Sequence, residues 1–414
     1  MRVAVIGAGV IGVATAYELL RDGHEVTVVD RRQEPASETS YGNAGMVAPG
    51  HAYAWSSPKA LRTLLRALRR DDLALRFRMQ KDLRFWFWAL RFALQCTREK
   101  AAYNTRRKVA LCLYSQRRLH QVVEETGVEY GGRGGGSLYL YRDPEGVRRG
   151  ADNAQILRDE GVEVRAVTPD EAAALDPVYE PVRDRFAGAL YAPGDESGDA
   201  RLFTRNLAAT LGERGVTFRM GEEVRKIESS GPHVRRLVTA KGEVEADGYV
   251  LAAGCASPRL GRMAHLHLPI YPIKGYSVTL PIEGRNNPPT LSGVDEDTLF
   301  AFANYGDRVR LTAIAEFAGY DTSYKPADFT TVLRAARELF PDAGTYVRPE
   351  YWAGLRPMTP DNLPIFGHGR LANLWVNSGH GHMGWTWACG SARITADLIA
   401  GREPEQDVST MLVG

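Results

Sequence analysis

Residues 1–30, MRVAVIGAGVIGVATAYELLRDGHEVTVVD, decide the fold. Arg2–Ile6 is a short run rich in β-branched residues that reads as a buried strand. Gly7-Ala8-Gly9-Val10-Ile11-Gly12 turns out of it into Val13–Asp22, a helical stretch closed by Gly23, and Glu25–Val29 is a second strand ending in Asp30. The stretch is a βαβ unit with a G-x-G-x-x-G turn and an acid eighteen residues after the last glycine. Gly7 permits the tight turn, Gly9 lets a pyrophosphate approach the backbone, and Gly12 lets the helix pack closely on the strand. The free N–H groups at the helix start, around Val10 and Ile11, favour phosphate. Asp30 is placed to accept from an adenosine ribose, which suits NAD or FAD better than a 2′-phosphorylated cofactor. The alternative is a βαβ unit whose glycines serve packing alone.

Outward from this unit, 414 residues suit two domains, and a net charge of +2 implies no nucleic-acid partner. No secretory signal is expected, since residues 3–20 are apolar but broken by glycines, and no apolar run approaches the roughly 20 residues that span a bilayer. Cys96, Cys112, Cys255 and Cys389 are scattered without metal-ligand spacing, so no metal and a reducing, cytoplasmic location are expected.

The small and polar loop Arg31–Gly50 is expected to line the cofactor, with Arg31, Ser40, Asn43, Ala44, Gly45 and Met46 as contacts. Residues 58–108 are helical in propensity and basic, with Arg62, Arg66, Arg69, Arg70, Arg76, Arg78, Lys81, Arg84 and Arg91 around Phe85-Trp86-Phe87-Trp88. That interleaving reads either as a membrane-surface patch or as aromatics packing in a helical subdomain, and packing is favoured. Helix Lys108–Thr126 ends at Gly127, Leu138–Tyr141 is a strand, and Asp199 caps helix Leu202–Arg214. Tyr249–Gly254 is a buried strand with a small-residue end, so Ala253 and Gly254, with Val224 nearby, are further cofactor contacts. The domains are then discontinuous: 1–57, 186–268 and 350–414 for the dinucleotide, 58–185 and 269–349 for the substrate.

The final block holds Trp352-Ala353-Gly354-Leu355-Arg356, then strand Leu374–Asn377, then Gly379-His380-Gly381-His382-Met383-Gly384-Trp385-Thr386 opening a helix Trp387–Ala400. A glycine-histidine loop at a helix N-terminus suits an anion or electron-rich flavin oxygens, so Gly354, Arg356 and Gly381–Thr386 join the cofactor set. Arg356 also reads as a structural ion-pair residue.

Taken together, VIGAGVIGVATAYEL, ETSYGNAGMVAPG, GDESGDARLFTRNLA, YPIKGYSVTLPI, WAGLRPMTPDNLPIFG and NLWVNSGHGHMGWTWACGSARITADLI resemble the D-amino-acid dehydrogenase small subunit, a flavoprotein family of the D-amino-acid oxidase superfamily. The resemblance implies an α/β fold, a Rossmann-like FAD-binding domain with a mixed-sheet substrate domain. It also implies hydride transfer from the α-carbon of a D-amino acid to flavin N5, hydrolysis to the 2-oxo acid and ammonia, and electron delivery to a quinone or other respiratory acceptor. Peripheral contact with the cytoplasmic face of the inner membrane would accompany such delivery. Arg356 is the first choice for the substrate carboxylate, because a guanidinium offers a rigid two-donor fork. Tyr276 is the second, as a hydroxyl donor, and Lys274 and His380 are candidates for flavin electrostatics or proton handling. The chain departs from the family at Met46, at His51-Ala52-Tyr53, at Phe300–Tyr305, which lacks an arginine, and at the bulkier His382 and Trp387. These departures bear on which amine is oxidised; cis-4-hydroxy-D-proline, D-proline, sarcosine or glycine are alternatives, as is an FAD-binding subunit of a larger complex.

Overall fold

Strand Arg2–Ile6 stands inside a six-stranded sheet whose order is Ile365–His368, Leu374–Ser378, Gly248–Leu251, Arg2–Ile6, Glu25–Asp30, Thr217–Met220. All neighbours are parallel except the first pair. The computed structural model describes residues 1–58, 60, 75–78 and 82–413. Parallel strands buried on both faces require continuous apolar runs, and Val3–Ile6 are all buried, as are Tyr249–Leu251. Helices Val10–Arg21, Ala200–Glu213 and Gly384–Ile399 cover one face through Val13, Tyr17, Phe203, Leu207 and Ala388. Helix Val10–Arg21 starts three residues before the sequence expectation, capped by Gly9, because Gly12 lies within the helix. The last helix likewise begins at Gly384. Asp199 caps its helix through bonds from the Arg201 and Leu202 amides, and Gly127 ends the 29-residue helix Arg98–Thr126 at φ 66°.

That long helix ties the first and last helices together electrostatically. Buried Glu18 accepts from Arg393 at 2.9 Å and from Arg118, while Arg393 also donates to Asp22 at 2.5 Å. With all partners in place the buried charges compensate one another; removing one would leave another unpaired.

The second sheet is nine-stranded and mixed. Its strand Tyr271–Pro281 pairs antiparallel with both Arg308–Phe317 and Glu350–Met358. Gly188–Ala192 and Glu350–Met358 therefore belong to this larger sheet, not to the dinucleotide sheet where the division at 186 and 350 puts them. Their pairing partners lie far away in sequence, so no local pattern marks the assignment.

Of the basic block, Arg62, Arg66, Arg69, Arg70 and Lys81 lie outside the described residues. Helix Leu83–Gln95 splits the aromatic cluster: Phe85 and Trp88 are buried against Tyr271 and Phe317, while Leu83, Trp86, Phe87, Leu90 and Leu94 are each more than half exposed.

Candidate active site

The three glycines of the first turn are required for three different reasons. Gly7 has φ +114°, and a Cβ there would stand 2.5 Å from the Ala252 carbonyl oxygen; at Gly12 it would stand 1.8 Å from the Gly7 carbonyl oxygen. Those two are demanded by the chain itself. At Gly9 a Cβ would meet nothing nearer than Ser40 Oγ at 3.5 Å, so that position faces open space, the cradle a pyrophosphate fits. Asp30 accepts from the Ala8 and Arg32 amides at 2.7 Å each, which fixes the turn and leaves lone pairs for a ribose. Burial pushes its carboxyl upward, against those two bonds. Ser40 Oγ accepts from the Val10 amide at 3.1 Å, at the mouth of the same helix.

One cleft runs past these groups. Gly7, Gly9, Val10, Ile11, Asp30 and Arg31 line it with Val224, and Ser40, Asn43, Ala253 and Gly254 continue it. His380, Gly381, Gly384 and Trp385 close the far end, so two helix N-termini open on one slot, as an extended dinucleotide with an electron-rich ring requires. Ala36–Thr39, part of the loop expected to line the cofactor, also line the cleft, as do Glu222 and Cys255, which sequence reading missed. Other expected contacts are not among the residues that line this cleft. Gly45 packs on Tyr305, and Met46 pairs with Ser197 while its carbonyl accepts from Thr386 at 3.2 Å. Ala44 is part of that same loop. Met383 is buried in the core, and Gly354 lies under the Trp352 ring, 1.9 Å from where a Cβ would sit.

Arg356 projects from strand Glu350–Met358 on the face that carries Gly275 and Trp352. A guanidinium nitrogen donates to the Ile314 carbonyl at 3.0 Å, and no acid bears on its charge. Burial lowers its pKa to about 10, so it remains a cation at neutral pH, with donors left for an incoming carboxylate.

Tyr276 and Lys274 are not brought to Arg356. Gly275 shares the Arg356 face, so alternation along the strand sends residues 274 and 276 to the other side. There the Tyr276 hydroxyl donates to Glu316 and its ring packs on Phe329, while Lys274 donates to the Ser323 carbonyl and lies 3.7 Å from Glu316. Both are held by partners of the substrate domain core. His380 is buried with Nε2 3.0 Å from Ser391 Oγ, and burial lowers it to about 3, so it is a neutral imidazole.

A different basic group stands beside His382. Lys108, fully buried on the long helix, donates to the Tyr53 carbonyl at 2.6 Å and lies 3.4 Å from His382 Nε2; burial lowers it to about 7. His382 stacks on Trp55 at 4.4 Å. Beside them His51 pairs with Glu296 at 2.6 Å and stacks on Tyr139. The sequence signal for Lys108 was a polar stripe, Asn104, Thr105, Lys108 and Ser115, at helical spacing along what proves to be a buried face.

Residues 2–398 match the family described as FAD dependent oxidoreductase. The chain is 44% identical over 415 residues, all of both chains, to a protein of Mesorhizobium japonicum named D-amino acid dehydrogenase 2. It is 44% identical over 403 residues to D-amino acid dehydrogenase of Paramagnetospirillum magneticum, covering 97% of this chain and 96% of that one. Glycine oxidase from Geobacillus kaustophilus shares the fold, with a TM-score of 0.76 at 24% identity over 100% of this chain and 98% of its own. The βαβ cleft, the second sheet and these matches lead to one conclusion: the chain belongs to the FAD-dependent oxidoreductase family.

Proposed function

We propose that this chain oxidises D-amino acids to imino acids, which water converts to 2-oxo acids and ammonia, and passes the electrons to a quinone or other respiratory acceptor. The observation that carries the reading is Arg356: a part-buried guanidinium without an acidic partner among the described residues, on the sheet face beside His382 and the Gly381–Gly384 loop. Bound FAD, held by Gly7, Gly9, Val10, Asp30, Ser40 and the amides of that loop, supplies the two-electron acceptor.

The protein's own work is placement. Arg356 takes the substrate carboxylate as a two-donor fork and so sets which face of the α-carbon presents its hydrogen to the cofactor side. Trp352 shares the Arg356 face of its strand and Trp55 stacks on His382, which leaves apolar rings to limit water there. Neutral His380 adds no charge next to the cofactor slot.

The exposed stripe Leu83, Trp86, Phe87, Leu90 and Leu94, flanked by Arg84 and Arg91, supports docking on an anionic membrane surface near a quinone acceptor. No helix among the described residues is long and apolar enough to cross a membrane. The deciding experiment is anaerobic flavin bleaching of the purified holoenzyme by matched D- and L-amino acids, followed by reoxidation with a soluble quinone or with oxygen. Bleaching by D enantiomers and faster reoxidation by quinone is expected; bleaching by L enantiomers alone, or by none, overturns the reading.

A further inference from the structure

Lys108 is a fully buried amine with no carboxylate beside it among the described residues. It has no accessible surface, its hydrogen-bonding partners among the described residues are the Tyr53 carbonyl and His382, and no carboxylate bears on it. The Trp387 ring lies 5.7 Å from its ammonium, which excludes water on that side. A buried charge left without a counter-ion is costly, and burial already lowers Lys108 to about 7, so an anion that arrives with a ligand would hold the ammonium charged.

His382 touches Lys108 through Nε2 and stacks on Trp55. An ammonium has no lone pair, so with Lys108 protonated the contact to Nε2 makes that nitrogen the acceptor and places the ring proton on Nδ1. Nδ1 has no protein partner among the described residues, while His382 itself keeps some accessible surface. The charged or titratable groups that bear on His382 are Lys108, Arg356 and His51, and no acid is among them. Of these, His51 is matched by Glu296 at 2.6 Å. With Lys108 protonated, one substrate carboxylate on Arg356 leaves one positive charge over.

We infer that Lys108 and His382 form a second anion subsite beside Arg356, which selects D-amino acids carrying a side-chain carboxylate. The inference rests on the D-amino-acid reading and deepens it. His382 Nδ1–H is the donor to the second carboxylate, held flat against Trp55, and Lys108 is a positioning residue that fixes the imidazole tautomer and supplies the charge behind it.

The test compares D-aspartate and D-glutamate with D-asparagine and D-glutamine as reductants of the holoenzyme under anaerobic conditions, in wild type, Lys108→Met and His382→Phe, with flavin content checked. The acids should exceed their amides in kcat/KM by roughly tenfold to a hundredfold, chiefly through KM, and that ratio should collapse in both variants. A merely structural lysine would weaken acids and amides alike, so an unchanged ratio in Lys108→Met overturns the assignment. The wild-type ratio is decisive even if a variant fails to fold: equal or better use of the amides defeats the second subsite and leaves the D-amino-acid reading standing. No bleaching by any D-amino acid defeats both.

Discussion

Arg356 lies across the bare backbone of Gly275: a Cβ on Gly275 would stand 2.5 Å from the guanidinium carbon. The two residues are on neighbouring antiparallel strands, in a register that pairs Ile273 with Arg356 and Gly275 with Gly354. A glycine is needed at 275 for that close approach, which lays the guanidinium against the sheet backbone with one nitrogen donating to the Ile314 carbonyl.

Gly275→Ala should therefore push Arg356 out of position while leaving the cofactor cleft intact. A loss of about tenfold or more in kcat/KM with undiminished flavin content is expected, since small misplacement of an orienting group is expensive. Steady-state kinetics beside a flavin absorbance ratio check this; wild-type kinetics would show that the guanidinium has room to adjust.

Removing the guanidinium should cost more. Arg356→Ala leaves a desolvated substrate carboxylate unpaired, a loss of roughly 3–5 kcal/mol, or about two to four orders of magnitude in kcat/KM. Arg356→Lys should recover part of it, because a point charge replaces a two-donor fork. Flavin reduction by a D-amino acid and by its decarboxylated amine measures the effect, and a variant that still prefers the acid would rule Arg356 out as the anchor.

The glycines of the first turn should separate folding from cofactor binding. Gly12→Ala drives a methyl into the Gly7 carbonyl, 1.8 Å away, and should destabilise the protein by about 1–3 kcal/mol or more. At Gly9 the Cβ of a valine meets nothing nearer than Ser40 Oγ at 3.5 Å, so Gly9→Val should fold, yet purify without flavin. Circular dichroism melts and flavin content distinguish the two; a yellow Gly9→Val would place the pyrophosphate elsewhere.

Acid should loosen the contact between the first and last helices. Burial alone would raise the Asp22 carboxyl, but bonds from Arg393 and Arg402 pull it down to about 2. A carboxyl depressed on folding stabilises above its unfolded value near 4, and that contribution is lost as pH falls through about 2. Asp22→Asn should lower Tm at pH 7 and flatten the stability profile between pH 4 and 2. An Asp22→Asn profile parallel to wild type would show that the ion pairs contribute nothing there.

Membrane docking should depend on the exposed stripe. Co-sedimentation with anionic vesicles at low salt is expected, reduced by Trp86→Ser with Leu90→Glu, and weakened in 1 M salt, where the Debye length is about 3 Å. Protein that stays in the supernatant at low salt would leave Phe85 and Trp88 packing as the whole role of the cluster.

The sequence by itself determined the βαβ unit, its phosphate-binding turn, the Asp199 cap and the Gly127 stop. Each rests on residues within a turn or two of one another, where hydrophobic period, glycine freedom and hydrogen-bond need leave a single solution. The family could be read from the same local blocks. Which strands share a sheet, and which face of a strand meets the substrate, was decided only in three dimensions. Tyr276 and Gly275 are neighbours in the chain, yet pairing with a distant strand sends one into the core beside Phe329 and sets the other under Arg356. Lys108 shows the same limit: its chain neighbours read as a basic helix, and only the packing of that helix against Gly384–Ile399 carries the ammonium to His382 and strips it of water. A period fixes which residues share a face, but what that face touches depends on segments the local sequence does not contain.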